Sequence, residues 1–186
     1  MQTMFAARLS VLVRTLVIAL AVMFSAASVQ AQGRPSSSAG QKFTVTVPTS
    51  VAIVAPTDVQ ITHDQTDNDQ AFPVQVWAVK GNVAAGVTVT FSTNQPFTNI
   101  SDATFKRDAK LDLAVATTAG PATWSISKAT DKTNYLGRVN VATVQAASNG
   151  VGKANFNLSV SFLTNTFGSF IAGDYVTTVT GTITAN

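Results

Sequence analysis

Three residue types that carry much protein chemistry are scarce here. The chain of 186 residues has no cysteine, no glutamate and one histidine, His63. The lack of cysteine excludes disulfides, thiolate nucleophiles and a lipid-modified N-terminal cysteine. A zinc site normally takes three or four His, Cys or acidic ligands, which this composition does not favour. Any histidine-based mechanism would have to use His63, and no serine stands in a G-x-S-x-G motif. The sequence therefore predicts a non-catalytic protein without a cofactor, unless calcium binds.

Runs of basic residues are also missing. The full chain has 12 Lys and Arg against 9 acidic residues, all of them aspartate. Leaving out Arg8 and Arg14, which belong to the N-terminal segment described next, gives 10 basic against 9 acidic residues and a net charge of +1. The stretch "FKRDAK" holds three basic residues around Asp108, and we interpret it as a solvated loop. Nothing in this distribution predicts binding to nucleic acid.

The N-terminus has the pattern of a secretory signal peptide. Arg8 and Arg14 precede a short apolar run, "LVIALAVMF", and small residues follow it. Val29 and Ala31 fit the positions before a cleavage site, which predicts cleavage after Ala31. A membrane-spanning helix needs about 20 apolar residues, more than this run has, so no membrane span is expected after cleavage. We therefore predict export to a secreted, periplasmic or cell-surface location.

The rest of the chain predicts an all-β domain. Aspartate favours turns, whereas the abundant threonine and valine favour strands. Residues 32–41 are small and polar, which predicts a flexible start, and a single domain is expected over residues 42–186. From Lys42 onwards apolar and polar residues alternate in about 8–10 short segments, as in an antiparallel sandwich of two sheets. The apolar positions expected on buried faces include Phe43, Val45 and Val47; Val59 and Ile61; Phe72, Val74 and Val76; Val87, Val89 and Phe91; Leu111 and Leu113; Trp124 and Ile126; Val139 and Val141; Phe156, Leu158, Val160 and Phe162; and Tyr175, Val179 and Ile183.

A two-residue turn is expected at Asn149-Gly150. Both residue types tolerate positive φ, as the common hairpin turns require. We therefore expect an antiparallel hairpin between the strand that contains Val139 and the strand that contains Phe156.

The segment "HDQTDNDQ" is the most polar stretch. Asp64, Asp67 and Asp69 have the residue type that a turn between strands prefers. They also have the oxygen ligands that calcium takes from a loop, although the spacing differs from that of an EF-hand. Both interpretations remain open, and any metal would be calcium bound by these three aspartates.

Trp77 is a candidate ligand-binding residue. It alternates out of phase with Phe72, Val74 and Val76, which is compatible with an outward position. Two interpretations remain open: Trp77 packs in the core or between elements, or it offers an aromatic platform, for example to a carbohydrate.

The two ends of the predicted domain resemble a known class. "AGDYVTTVTGTITAN" is similar to the last strand of bacterial pilus subunits and related secreted immunoglobulin-like domains, and "KFTVTVP" is similar to their N-terminal strand. The resemblance implies an exported, non-catalytic immunoglobulin-like sandwich that assembles by strand addition, with residues 32–41 and the Phe43 strand as the donor segment. The predicted function is a structural or interaction protein within a surface or extracellular assembly, with other subunits, surface components or copies of itself as partners. The alternative is a module that binds carbohydrate or another ligand, assisted by calcium.

Overall fold

The structure, a computed structural model, describes residues 36–186, so the predicted signal peptide at 1–31 lies outside the described residues. This part of the chain is all-β and contains no helix, hence none long and apolar enough to cross a membrane. A compact unit spans Thr46–Asn186. Its strands are β1 (Val51–Val54), β2 (Gln70–Ala71), β3 (Gln75–Gly81), β4 (Val87–Thr93), β5 (Phe97–Asn99), β6 (Lys106–Arg107), β7 (Ala109–Ala119), β8 (Trp124–Lys128), β9 (Thr130–Lys132), β10 (Thr143–Ser148), β11 (Gly152–Phe162), β12 (Tyr175–Val176) and β13 (Val179–Ala185).

The strands form three antiparallel sheets. The large sheet has the order β1-β3-β11-β7-β9, and β2 pairs with the end of β11. A four-stranded sheet has the order β13-β4-β10-β8, and a small sheet has the order β12-β5-β6. The 13 strands exceed the predicted 8–10 because several strands of two or three residues follow from pairing and not from alternation.

The large and four-stranded sheets pack face to face in a sandwich-like arrangement. The ring of Phe91 on β4 contacts Trp77 on β3 at 5.2 Å and Phe156 on β11 at 6.1 Å between ring centroids. Trp124 on β8 also contacts Phe156 across the two sheets. These side chains form the centre of a single apolar core. Burying one face of each sheet in this way explains the alternation in the sequence.

Several predicted faces are confirmed. On β4 the buried positions alternate through Val87, Val89 and Phe91. Alternation is equally regular in β11, where Phe156 and Leu158 are buried, and Leu111 and Leu113 are buried in β7. A strand with one buried side has apolar residues at every second position, and the sequence shows this pattern in all three strands.

Three segments predicted as strands are not strands. Residues 43–47, 58–62 and 139–141 have no ladder partner within the described chain, and Val139 and Val141 are about half exposed. Alternation is compatible with a strand in each segment, but a strand also needs the free edge of another strand to pair with. The last of these segments instead closes a tight loop, where Asn134 and Val139 form an isolated bridge.

The predicted hairpin at Asn149-Gly150 is wrong. β10 belongs to the four-stranded sheet and β11 to the large sheet, so the turn carries the chain from one layer to the other. Neither residue has a positive φ. The side-chain Oδ1 of Asn149 accepts a hydrogen bond from the amide of Thr123 at 2.8 Å, which fixes the turn to the neighbouring loop instead of to a paired strand.

Candidate functional site

The segment His63–Gln70 is a turn organised by its own side chains. Asp64 Oδ1 accepts hydrogen bonds from the amide of Thr66 at 2.9 Å, from the hydroxyl of Thr66 at 2.7 Å and from Gln70 Nε2 at 2.8 Å. The hydroxyl and amide of Thr66 lower the pKa of Asp64 below its ordinary value, because they stabilise the carboxylate. This geometry is the one that aspartate adopts in polar turns.

The other two aspartates of this segment reach a different part of the chain. Asp69 Oδ1 accepts a hydrogen bond from the amide of Thr164 at 3.0 Å, and Asp67 Oδ1 accepts one from the amide of Phe167 at 2.7 Å. Both donors lie in the loop that follows β11. The two carboxylates therefore fasten the turn to that loop.

The three candidate calcium ligands do not converge on one point. Within residues 36–186 no three His or Asp side chains come together as a metal site. Calcium requires six or more oxygen ligands around one point. Asp64, Asp67 and Asp69 instead accept hydrogen bonds from separate donors in separate places.

His63 lies between this turn and the same loop, with a fixed pattern of hydrogen bonds. Its Nε2 is 2.9 Å from Thr164 Oγ1, and the Thr164 hydroxyl donates to the carbonyl of Asn68 at 2.7 Å. Because that hydroxyl has one hydrogen, His63 Nε2 must be the donor to it. Nδ1 accepts from the amide of Gln65 at 2.9 Å. Both ring nitrogens are therefore engaged in holding the turn.

Aromatic rings surround His63. The ring of Phe167 stacks on it at 5.4 Å, and Phe162 and Phe170 meet its edges at 5.7 and 5.6 Å. The sequence offered no signal for this cluster, because Phe167 and Phe170 lie in an irregular segment. They meet His63 only through the pairing of β2 with β11.

Arg107 is a further residue that the sequence prediction placed wrongly. The stretch "FKRDAK" was expected to be a solvated loop, whereas Arg107 lies in β6 and is only 5% exposed. Its guanidinium lies 4.4 Å from the centre of the Phe170 ring and donates to Tyr135 Oη at 3.2 Å and to Ser169 Oγ. These contacts attach the loop to the small sheet through a cation–π interaction and neutral acceptors.

Of the two interpretations of Trp77, the structure agrees with packing in the core. Its side chain is 8% exposed and packs on Phe91, and its ring lies close to Gly181 of β13. Pro73 explains why Trp77 does not face outwards. It separates β2 from β3, so the alternation that includes Phe72 does not continue into β3. Within β3, Trp77 is buried and the adjacent Val76 is exposed. A buried indole offers no platform to a ligand.

The most exposed apolar series lies ahead of β1. Phe43 is 82% exposed, Val45 is 87% exposed and Val47 is 74% exposed. The segment 36–50 forms no strand in the described structure. The intervening Thr44 and Thr46 complete an alternating sequence with the chemistry of a half-buried strand. The segment therefore combines exposed apolar side chains with the alternation of a strand that has one covered face.

Asn82 holds the chain where this segment ends. Its Nδ2 donates to the carbonyl of Pro48 at 2.8 Å, and its Oδ1 accepts from the amide of Ser50 at 2.6 Å. Its own amide donates to the carbonyl of Ser50 at 3.1 Å. The last paired residues are Val51 and Gly81, so these bonds continue the line of β1 past the end of β3.

Neither the family models, nor the curated proteins, nor the solved structures that were searched include a match to this chain, so its function is argued from the geometry above.

Proposed function

We propose that the protein is an exported, non-catalytic structural or interaction protein that forms part of a surface or extracellular assembly. The observation that carries this proposal is the exposed alternating segment Phe43–Val47. Phe43, Val45 and Val47 lose the favourable free energy of burial while they stay exposed. Full burial would contribute roughly 1.5–3 kcal/mol for each of these side chains. A segment with this pattern gains most by pairing with the edge of another sheet, where its backbone groups and its apolar face are both satisfied.

Two further features support the proposal. The N-terminal pattern up to Ala31 supports export, and it would place Phe43 close to the start of the processed chain. The sandwich-like core does not depend on disulfides, so the domain suits an exported location without oxidative folding. An immunoglobulin-like topology belongs to the same proposal, by the resemblance of the two terminal strands to those of pilus subunits.

The hydrogen bonds around His63 agree with a non-catalytic function. His63 Nε2, Asp67 and Asp69 hold the turn to the loop after β11, and His63 Nδ1 accepts a hydrogen bond from the amide of Gln65 within the turn. With Trp77 buried, nothing in the described part of the chain favours the carbohydrate-binding alternative.

The proposal predicts self-association that depends on the Phe43–Val47 segment. The full chain is expressed with export and purified from the exported fraction, and its mass is followed by sedimentation velocity and light scattering over a wide concentration range. We expect oligomers that grow with concentration and that are lost on deletion of residues 32–47.

A matched pair of variants separates the apolar face from the length of the segment. Replacing Phe43, Val45 and Val47 together by serine should weaken association as the deletion does. Replacing Thr44 and Thr46 by serine should leave it nearly unchanged. A wild-type protein that stays strictly monomeric at the highest concentration would contradict the proposed function.

A further inference from the structure

Arg107 is a buried positive charge without a negative partner. It is 5% exposed, and none of the ion pairs within residues 36–186 includes it. Its guanidinium donates to the carbonyl of Lys106 and to the hydroxyls of Tyr135 and Ser169, all of them neutral acceptors. Burying a charge costs free energy unless an opposite charge and a full set of hydrogen bonds compensate it. Arg107 therefore has the character of a group that gains from an anionic partner.

One edge of the guanidinium still has hydrogens to donate. Nε of Arg107 is buried and has no hydrogen-bond acceptor within the described part of the chain. Nη2 lies on the same edge and carries two hydrogens, of which the hydroxyl of Ser169 takes one. Nη1, on the other side, donates to Lys106 and Tyr135. Because such an edge binds a carboxylate or a phosphate through two parallel hydrogen bonds, the free donors fit an oxyanion.

The charge distinguishes Arg107 from two other buried donors. Asn99 Nδ2 and Trp124 Nε1 also lack an acceptor within residues 36–186, but both groups are neutral. The ring of Phe170, 4.4 Å from the guanidinium carbon, attracts the charge of Arg107 through a cation–π interaction. The Nε–H group nevertheless remains without an acceptor. An anion would satisfy both the charge and this donor.

Ser169 marks the place where an anion can reach the guanidinium. Its side chain is exposed, and its hydroxyl donates to the carbonyl of Thr166 at 2.6 Å. Because the hydroxyl has one hydrogen, its oxygen can only accept from Arg107. A serine thus offers one neutral acceptor, whereas an oxyanion accepts two charge-assisted hydrogen bonds from the same edge. An oxyanion that arrives at Nη2 can therefore displace the hydroxyl of Ser169.

The segment that covers Arg107 has a glycine at each end. Gly168 has a φ of 86° and Gly173 has a φ of 134°, in the region that favours glycine. Residues 169–172 between them form no strand. A Cβ built at Gly168 would meet no atom within 4 Å, so there is open space beside this position. Changes in φ and ψ at these two glycines can lift Ser169 off the guanidinium without breaking any strand pairing.

We propose that Arg107 binds a small oxyanion of the carboxylate or phosphate type at its Nε–Nη2 edge, in place of the hydroxyl of Ser169. The site assigns a ligand-binding function to the loop after β11, in addition to its contacts with the turn at His63–Gln70. It does not depend on the proposed assembly, and each proposal can fail without the other.

Titration with inorganic phosphate and with acetate tests the site. Each anion is added to the full chain, purified from the exported fraction, while chloride keeps the ionic strength constant. Calorimetry measures the affinity, and NMR follows the assigned Nε–H resonance of Arg107. We expect one saturable site and a shift of this resonance with the same midpoint, whereas the exposed Arg138 should show no such shift. The anion that binds more tightly identifies the natural ligand as a phosphate or a carboxylate compound.

Two variants of the guanidinium's acceptors give opposite expectations. Ser169→Ala removes the acceptor that competes at Nη2, so it should bind the preferred anion several-fold more tightly than the wild type. Tyr135→Phe removes the acceptor at Nη1, on the other side, and should leave the affinity nearly unchanged. Both residues are at least partly exposed, so both variants should fold.

A second pair of variants separates the edge from charge alone. Arg107→Lys keeps the charge but loses the two-donor edge, so binding should be lost. Lys153→Gln removes an exposed charge on β11 and should bind like the wild type.

Three results would overturn this inference. They are the absence of saturable binding of both anions, equal binding by Arg107→Lys and the wild type, and a Ser169→Ala protein that binds no more tightly than the wild type. If Arg107→Lys does not fold, the resonance of Arg107 and the comparison of Ser169→Ala with Tyr135→Phe decide. Self-association of the same preparations tests the proposed function separately, because none of these variants alters residues 43–47.

Discussion

Thr164 shows how one side chain joins two distant parts of the molecule. It is fully buried, and its hydroxyl donates to the carbonyl of Asn68 while it accepts from His63 Nε2. Its amide donates to Asp69. These hydrogen bonds form a network that holds the turn to the loop after β11. Such networks cost free energy when one member is removed, because the remaining groups stay buried.

Replacing Thr164 by valine tests this network. The side chain keeps its shape, but the Nε2 of His63 loses its acceptor, and the carbonyl of Asn68 keeps only the hydrogen bond from Gln70 Nε2. We expect the free energy of unfolding to fall by about 1–3 kcal/mol. Urea unfolding measures this as a lower midpoint at an unchanged m-value. Thr117→Val, at an exposed position of β7, is the control and should change the free energy by less than about 0.5 kcal/mol. Equal effects of the two substitutions would show that the network contributes nothing.

The carboxylate of Asp131 links β9 to the four-stranded sheet. Asp131 lies on the edge of the large sheet, and its Oδ2 accepts from the amide of Thr143 on β10 and from Lys128 Nζ on β8, both at 2.7 Å. Partial burial raises the pKa of Asp131, but the hydrogen bonds from Lys128 and from the amides of Thr143 and Lys132 outweigh it, so the net pKa is lowered. The two layers are thus linked by a charge at this edge as well as by the apolar core.

The lowered pKa of Asp131 gives a pH dependence with a defined sign. In the folded protein the pKa of Asp131 is lowered from its ordinary value of 3.8, which the unfolded chain retains. Between these two values the unfolded state binds more protons, so stability rises with pH. The contribution is present above the unfolded pKa and is lost as the pH falls through the folded pKa.

We expect Asp131→Asn to flatten the loss of stability on acidification below about pH 4. Thermal unfolding between neutral and acidic pH measures this change. Asp112→Asn is the matched control, since Asp112 forms an exposed ion pair with Lys110 within one strand. The control variant should keep the acid dependence of the wild type. An Asp131→Asn protein with the same acid profile as the wild type would contradict the assignment.

For the molecule as a whole, the proposed assembly is apolar and hydrogen-bonded instead of ionic. Without Arg8 and Arg14 the chain has 10 basic and 9 acidic residues. Residues 43–47 contain none of them. Association through this segment should therefore be nearly independent of ionic strength.

Salt concentration checks this expectation. At about 1 M salt the Debye length is about 3 Å, so attractions between exposed charges are screened. We expect the sedimentation profile of the oligomers to be the same in dilute buffer and at about 1 M sodium chloride. Dissociation of the wild-type oligomers by salt would indicate an interface built on charge.

Local order in the sequence was enough to predict much of the fold. Alternation identified the buried faces of β4, β7 and β11, because a strand with one buried side requires a period of two. The residue types of the His63–Gln70 segment likewise predicted a turn, since aspartate and threonine hydrogen-bond to their own backbone.

The pairing between strands determined the parts of the fold that alternation did not predict. Phe43–Val47 alternates as regularly as β4, yet it lies exposed because strand formation also needs an edge, which is distant in sequence or belongs to another molecule. Trp77 is buried because Pro73 interrupts the alternation and the pairing of β3 with β11 then sets which face points inwards. Arg107 is buried because the loop after β11 covers β6. A local pattern predicts which residues can share one face of a strand. Only the pairing and register of the strands determine whether that face contacts the core, another strand or solvent.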